Sequence, residues 1–318
     1  MLRTALVLAA IGLLATPQNQ RFDDVEVHVL PVQGNVYMLV GAGANVTVQA
    51  GSDGVLLVDT SYEQMSGKIV AAIRKLSDKP IRYIVNTHAD ADHVGGNAPI
   101  SALGATIAGG NMGTNVNNGA AILAHENVLK RMSAPTGQQA PTASAAWPTD
   151  TYFTKKKELF FNGEPIEILH QPSAHSDGDS IVFFRHSDVI SAGDLFVTTT
   201  YPVVDVERGG NIQGIIDALN RILDIAIPKD KQEGGTYVIP GHGRLCDEAD
   251  VLEYRDMVTI IRDRVQDMIK RGLTLQQIKA ARPTLDYDGR YGAKSGPWTT
   301  DMFIEAVYRN LNEKAKSQ

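Results

Sequence analysis

Runs of β-branched residues, alternating or continuous, open the chain and then give way to stretches with helical spacing. Residues 25–32 and 36–48 carry such runs, and Gly34-Asn35 between them is a tight-turn signal, so both read as strands of a hairpin. A second turn, GSDG at 51–54, leads into a buried strand at 55–58 that stops at Asp59. Apolar residues at 65, 69, 70, 73 and 76 repeat at helical spacing, and 81–85 is a further strand. A helix is expected over 120–132. The following stretch, 133–151, is rich in Pro, Ala, Ser, Thr and Gln and reads as a long loop.

The second half repeats the pattern. Strands are expected at 166–169, 181–184 and 189–191, and Ile212, Ile215, Ile216, Leu219, Ile222 and Leu223 mark an amphipathic helix. A short strand at 237–239 runs into Pro240-Gly241-His242-Gly243. A long helix over about 248–271, a shorter one opened by the capping box of Thr274 and Gln277, and a last one over 299–311 complete the chain. Two halves, each with strands and then helices, predict an α+β protein with two sheets face to face and helices outside.

Composition narrows the function classes. The chain has 318 residues, 43% apolar and 21% charged, ordinary values for a globular protein. Its net charge of −6, with the basic residues scattered, speaks against a phosphate-backbone partner, so no nucleic acid is expected. Arg3, the apolar run 5–15 and the small and polar residues 16–20 form an export-signal pattern. Residues 1–20 are therefore expected to be a signal peptide and 21–318 a single domain, periplasmic or secreted, with no stable membrane insertion after cleavage. Cys246 is the lone cysteine, so no internal disulfide forms; it reads as an inert thiol, with a ligand role four residues after His242 as the alternative.

The candidate chemistry is concentrated at strand ends. THADADHVGGN at 87–97 places His88, Asp90, Asp92 and His93 within six positions before a Gly-Gly pair. His175 and His242 sit at turns beside other strands, and Asp59 and Asp194 follow strands directly. Imidazoles and carboxylates gathered in this way are a cation-ligand set. If the 88–93 loop is extended, 88, 90 and 92 point to one side and 93 to the other, so one loop can serve two adjacent cations. His125 and Tyr201 are candidate substrate-side residues, with packing roles as the alternative. No G-x-S-x-G nucleophile elbow is present, and the glycine-rich stretch 109–119 lacks the lysine of a phosphate-binding loop.

VLLVD at 55–59, THADADHVGG at 87–96, PSAHSDGD at 172–179, SAGD at 191–194 and PGHG at 240–243, in that order, resemble the metallo-β-lactamase-fold hydrolase superfamily over about residues 25–245. The resemblance implies a four-layer αββα sandwich with a di-metal cleft at one edge. It implies a first metal on His88 and His175, a second on Asp92, His93 and His242, Asp194 bridging them, and Asp59 supporting the ligands from behind. Two divalent ions are implied, zinc foremost. Asp90 departs from the pattern, which has histidine there. As a ligand it would make the His88/Asp90/His175 site more anionic, a poorer Lewis acid and more tolerant of Mn2+ or Fe2+. Three carboxylate charges, from Asp90, Asp92 and Asp194, would then face two divalent cations.

The implied reaction is attack of a metal-bridged hydroxide on a carbonyl centre of a small-molecule substrate, with Asp92 and Asp194 as the catalytic carboxylates. β-Lactamase-like hydrolysis of cyclic amides or esters is the leading expectation. Phosphoester, phosphodiester or lactone hydrolysis on the same site is the alternative. A non-catalytic metal-binding accessory protein of an exported redox system is the alternative of another class.

Overall fold

The computed structural model describes residues 22–106, 119–134 and 142–316; the leader-like residues 1–20, most of the glycine-rich stretch and part of the 133–151 loop lie outside them. The expected hairpin is β1 (His28–Gln33) and β2 (Val36–Val40), paired antiparallel. The strand expected over 36–48 is broken. The chain turns through Gly41-Ala42-Gly43-Ala44 and returns as β3 (Val46–Gly51), antiparallel to β2. β4 (Gly54–Val58) pairs antiparallel with β3, helix α1 (Ser66–Leu76) crosses over, and β5 (Ile81–Val85) lies parallel to β4.

Two short helices follow, α2 (Ala91–Val94) and α3 (Asn97–Ala102). The helix expected over 120–132 is corrected: Ala121–His125 is strand β6, parallel to β5, and only Glu126–Ser133 is helical, as α4. Ile122, Leu123 and Ala124 are all buried, and so short an apolar run has no period of its own. Its place beside β5, covered on both faces, makes it a strand. β7 (Asp150–Tyr152) ends the seven-stranded sheet inside the stretch expected to be loop.

The second sheet contains β8 (Lys156–Phe161), β9 (Glu164–Gln171), β10 (Asp179–Phe184), β11 (Val189–Ser191), β12 (Tyr237–Ile239) and β13 (Cys246–Asp247). It runs in the order β13-β12-β11-β10-β9-β8, and only β11 and β12 are parallel. Helix α5 (Ile212–Ile225) makes the β11-to-β12 crossover, and α6 (Glu248–Lys270), α7 (Leu275–Ala281), α8 (Asp288–Tyr291) and α9 (Thr300–Lys316) follow. The Thr274–Gln277 capping box forms at the start of α7 as expected.

Three apolar layers hold the sandwich together. Val36, Leu56, Val85 and Leu123 of the first sheet meet Ile166, Val182, Phe184 and Ile239 of the second between the sheets. Ile69 and Ile73 of α1 cover the outer face of the first sheet. Residues of α5, α6 and α9 cover the second, with Ile215, Leu219, Val258, Ile261 and Phe303 fully buried. Each such side chain contributes about 1.5–3 kcal/mol by leaving water. No helix among the described residues is long and apolar enough to cross a membrane.

This topology lines up one edge. Asp59 follows β4, His88 lies beyond β5, Asp194 beyond β11 and His242 beyond β12, while His175 sits in the β9-to-β10 connection. That connection is pressed onto the first turn of α5. Asn211 N donates to Ala174 O at 2.8 Å, and a Cβ on Gly214 would stand 1.4 Å from Ser173 O. Gly214→Ala is therefore expected to cost stability at the upper end of overpacking, about 3 kcal/mol. Gly67→Ala in α1, where a Cβ meets nothing within 4 Å, should instead gain roughly 0.5–1 kcal/mol. Urea unfolding midpoints of the two variants check this contrast, and a neutral Gly214→Ala would contradict the packing described.

Candidate metal centre

After β5 the chain does not stay extended. Asp90 is the last extended residue, and from Ala91 the backbone turns into α2. The expected alternation of 88, 90 and 92 against 93 is thus corrected. His88 and Asp90 fall in one group of potential ligands and Asp92 and His93 in another, because a helical turn carries the last two around together.

Asp59 fixes this turn from behind. It has a left-handed backbone, φ +62°, an uncommon conformation for a residue with a side chain. Its buried carboxylate accepts from Thr87 N at 2.8 Å, from Thr87 Oγ1 at 2.6 Å and from His93 Nδ1 at 2.7 Å. Thr87 Oγ1 lies 3.0 Å from His88 Nδ1, and Val203 O lies 2.9 Å from His175 Nδ1. Each of these three imidazoles can therefore donate through Nδ1 to a protein oxygen, which aims its Nε2 inward.

The inward atoms converge. His88, Asp90 and His175 each offer a ligand atom within 4.8 Å of the others, and so do Asp92, His93 and His242. His175 Nε2 is 3.2 Å and His88 Nε2 3.8 Å from Asp90 Oδ2; His242 Nε2 is 3.2 Å from Asp92 Oδ2. Asp194 Oδ1 lies 3.2 Å from His93 Nε2 and 3.4 Å from His242 Nε2, and it also groups with His88 and His93. It comes this close because residue 241 is glycine: a Cβ there would sit 2.0 Å from that oxygen. His88 Nε2, His93 Nε2 and Asp194 Oδ1 are buried and complete no hydrogen bond within the protein. Buried donors and acceptors are rarely left so, and three of them facing one point fit divalent cations.

Protonation follows from the crowding. Burial, reinforced by His93 and His175, pushes the His88 imidazole down to about 4. Burial opposes protonation of His175 too, but the hydrogen bond to Asp90 and the charges of Asp179 and Asp194 outweigh it and hold the group up at about 10. At His93 burial is overcome by Asp194 and Asp59, which keep it well above the ordinary range. Burial would raise Asp194, yet His93, His242 and His88 hold it well below the usual carboxylate value. Asp92 is lowered in the same way, with burial overcome by the bond to His242 and the charge of His93. In the cation-free protein, protons on imidazoles therefore occupy the space between these acids.

Three candidates lie elsewhere. His125 is buried; its Nδ1 accepts from Asn127 N at 3.3 Å, and its ring stacks on His170 at 3.5 Å. That is a cap and a packing contact, not a substrate-side position. Tyr201 is corrected as well. Its ring is buried and stacks on Phe303 at 4.8 Å, and its hydroxyl lies 3.1 Å from Thr284 O and 3.0 Å from Asp288 Oδ1, under the C-terminal helices. Cys246 belongs to none of the ligand groups; its buried thiol donates to Arg244 O at 3.3 Å, and burial pushes it up to about 12.

Two neighbours of the site were not anticipated. Tyr62 is half-buried, and burial, together with the charges of Asp92 and Asp90, raises its phenol. It stands three residues after Asp59, in the loop that the strand-end acid already marked. Arg208 donates to Asp90 Oδ1 at 2.7 Å from a loop over a hundred residues away, and no local pattern announces it.

A two-sheet sandwich with imidazoles and carboxylates converging at the ends of its strands defines a protein built to hold metal ions. The chain belongs to the Metallo-beta-lactamase superfamily, whose sequence profile matches residues 31–242. It is 23% identical over 258 residues to the linear primary-alkylsulfatase of Pseudomonas sp. (strain ATCC 19151), covering 71% of this chain and 47% of that protein. It is 20% identical over 211 residues to the metallo-beta-lactamase type 2 of Bacillus sp. (strain 170), covering 65% of this chain and 69% of that one. The structure of a stereoselective inverting sec-alkylsulfatase from Pseudomonas sp. superposes with a TM-score of 0.60 at 17% identity, over 89% of this chain and 50% of that one. The chain thus spans about half the length of the alkylsulfatases it matches.

The protonation pattern has a measurable consequence. Groups raised above neutrality, His93 and His175, carry protons at pH 7 that a cation must displace, whereas His88 at about 4 has none to lose. Zinc uptake at pH 7 is expected to release protons, and affinity is expected to climb as pH rises toward 10. Calorimetric titration in buffers of different protonation enthalpy checks this; a heat independent of the buffer would contradict it.

Proposed function

We propose that this chain is a binuclear metal-dependent hydrolase acting on a small-molecule ester. The observation that carries the reading is Asp194. One buried oxygen, without a hydrogen bond of its own, stands 3.2 Å from His93 Nε2 and 3.4 Å from His242 Nε2 and within the His88 group. A carboxylate that groups with one imidazole from each ligand set supports two cations acting as one centre. His88, Asp90 and His175 would hold one ion and Asp92, His93 and His242 the other, with zinc the expected metal and Mn2+ or Fe2+ tolerated beside Asp90. Ions held there supply Lewis acidity and lower the pKa of water at neutral pH.

The chain's own residues supply orientation and proton handling. Asp59, Thr87 and Val203 O fix the imidazole rings. Asp92, kept ionised and partly open to solvent, is placed to orient a water and receive its proton.

An ester suits this site better than an unstrained amide. Asp92 and Asp194, with Asp90 shared with Arg208, make the centre a milder Lewis acid than imidazoles alone would, and an alkoxide or sulfate leaves with less help than an amine nitrogen. The alkylsulfatase relative, which covers most of this chain, supports an ester linkage. β-Lactam hydrolysis is the second reading, favoured by the metallo-beta-lactamase type 2 relative and by the strain of that ring. With residues 1–20 read as an export signal, we place the activity in the periplasm or outside the cell.

The test is a panel of a nitrophenyl carboxylic ester, an alkyl sulfate, a lactone, bis-nitrophenyl phosphate and nitrocefin, with stripped and zinc-loaded full-length protein. Zinc-dependent turnover of a carboxylic or sulfate ester above nitrocefin is expected, lost on chelation. Asp194→Asn should lower kcat/KM by roughly a hundredfold or more, as an inner ligand matters at least as much as the groups that support one. Preference for nitrocefin would favour the second reading, and inert zinc-loaded protein would overturn both.

A further inference from the structure

Asp90 stands where the resemblance implied a neutral imidazole, and a bare carboxylate is not an equivalent replacement. The structure supplies what differs. Arg208 Nη1 donates to Asp90 Oδ1 at 2.7 Å, leaving Oδ2 directed at His175 Nε2, 3.2 Å away, and His88 Nε2, 3.8 Å away. One oxygen is tied outward and the other aimed inward. The pair carries no net charge, as a neutral histidine would not.

Both residues are about a third exposed, so a simple surface ion pair of this kind would contribute little. Two features set it apart. Asp90's second oxygen belongs to the His88/Asp90/His175 group. In addition, the loop bearing Arg208 is fastened to the loop bearing His175. Asp205 N donates to His175 O at 2.9 Å, Asp177 N to Arg208 O at 3.0 Å, and Ser173 Oγ to Gly209 O at 2.8 Å. Val203 O, from the same stretch, lies 2.9 Å from His175 Nδ1. Asp205 then steadies the arginine itself, its Oδ1 accepting from Arg208 N at 3.1 Å and its Oδ2 lying 3.4 Å from Nε. One short segment therefore sets the position of His175, of Arg208 and, through Arg208, of Asp90.

We infer that Arg208 is a positioning residue for the first cation, holding Asp90 as a one-oxygen, charge-compensated donor in the place of a histidine. This rests on the binuclear reading above and adds to it a residue that touches no cation. The guanidinium fork spans two carboxylates, Nη1 on Asp90 and Nε toward Asp205, and so holds Asp90 from a fixed point, whereas an ammonium supplies the charge without the fork. Without the fork Asp90, partly exposed, is free to turn to solvent.

The experiment is zinc titration of the stripped full-length protein against a chromophoric chelator, with Co2+ absorption as a report on ligand geometry. Arg208→Gln should weaken the first cation by about 10–100-fold, the usual cost of losing a group that supports a ligand, and leave the second unchanged. Arg208→Lys should fall between wild type and Arg208→Gln. In an Asp90→His background, Arg208→Gln should cost nothing, because an imidazole offers no second oxygen to restrain. Unchanged first-cation affinity in Arg208→Gln would overturn the inference while leaving the binuclear reading intact. An equal loss in the Asp90→His background would also overturn it, by showing that Arg208 acts through the fold of its loop. Failure of the wild-type protein to bind two cations would overturn both.

Discussion

The buried carboxylate of Asp59 is the constraint on which the site is built. A carboxylate removed from water is costly unless nearly all its hydrogen-bonding capacity is satisfied. Here the backbone N–H and hydroxyl of Thr87 and the Nδ1 of His93 satisfy it. That one group therefore joins the end of β4 to the end of β5 and to α2, and it does so from a left-handed backbone that costs about 1–3 kcal/mol in itself. Removing Asp59 would leave more than a missing hydrogen bond: Thr87 would lose its anchor, and with Thr87 the Nδ1 partner of His88 would move. Two imidazoles in different ligand groups thus depend on one acid that touches neither of their inward nitrogens.

The inward side is the converse arrangement. His88, His93, His175 and His242 meet Asp90, Asp92 and Asp194 with ring centroids of His88 and His93 only 4.0 Å apart. Packing alone does not favour so many polar groups in so small a volume. In the absence of cations the charges balance through protons, with His93 and His175 protonated against the acids and His88 kept neutral between them. Divalent ions held by these ligand sets would take the place of those protons with a stronger positive charge. The cation-free balance and cation affinity are thus two readings of one geometry. Arg208 enters the balance as well: the count of three bare carboxylates overstates the negative charge, because Asp90 is already shared with a guanidinium.

Most of the fold was legible because its strands are apolar runs ended by Gly, Asn or Asp, and its helices repeat at 3.6 residues. The reading failed where local pattern carries no period. Ala121–His125 reads as the start of a helix because a short apolar segment before ENVLKRM has no alternation to reveal a strand. The 36–48 run concealed a turn because its glycines are interleaved with small residues. At the site, the ligand candidates could be read from motifs because each lies within a few residues of a strand end. Tyr201, Tyr62 and Arg208 could not, since loop residues are placed by tertiary contact. Asp90 shows the limit most clearly. Its identity is local, but its role is set by a partner 118 positions away.

Tyr201 also explains why the C-terminal helices bear on the chemistry at the other end of the chain. Its ring stacks on Phe303 of α9, and Phe196 packs edge-on against Tyr254 of α6 at 5.3 Å. The segment from 194 to 201 therefore begins at the carboxylate between the two ligand groups and ends as an anchor in the helical layer. Tyr254 closes the same segment from below, its hydroxyl donating to Thr200 O at 3.2 Å, and Thr198 N donates to His242 O at 3.0 Å. Asp194 and His242 thus share a support whose rigidity comes from aromatic packing against α6 and α9. The first ligand set leans instead on the loop pressed against α5, with Asn310 of α9 accepting from the first turn of that helix at 3.0 Å. Both halves of the centre are braced by one helical layer, which couples the distance between them to the packing of residues that never approach a cation.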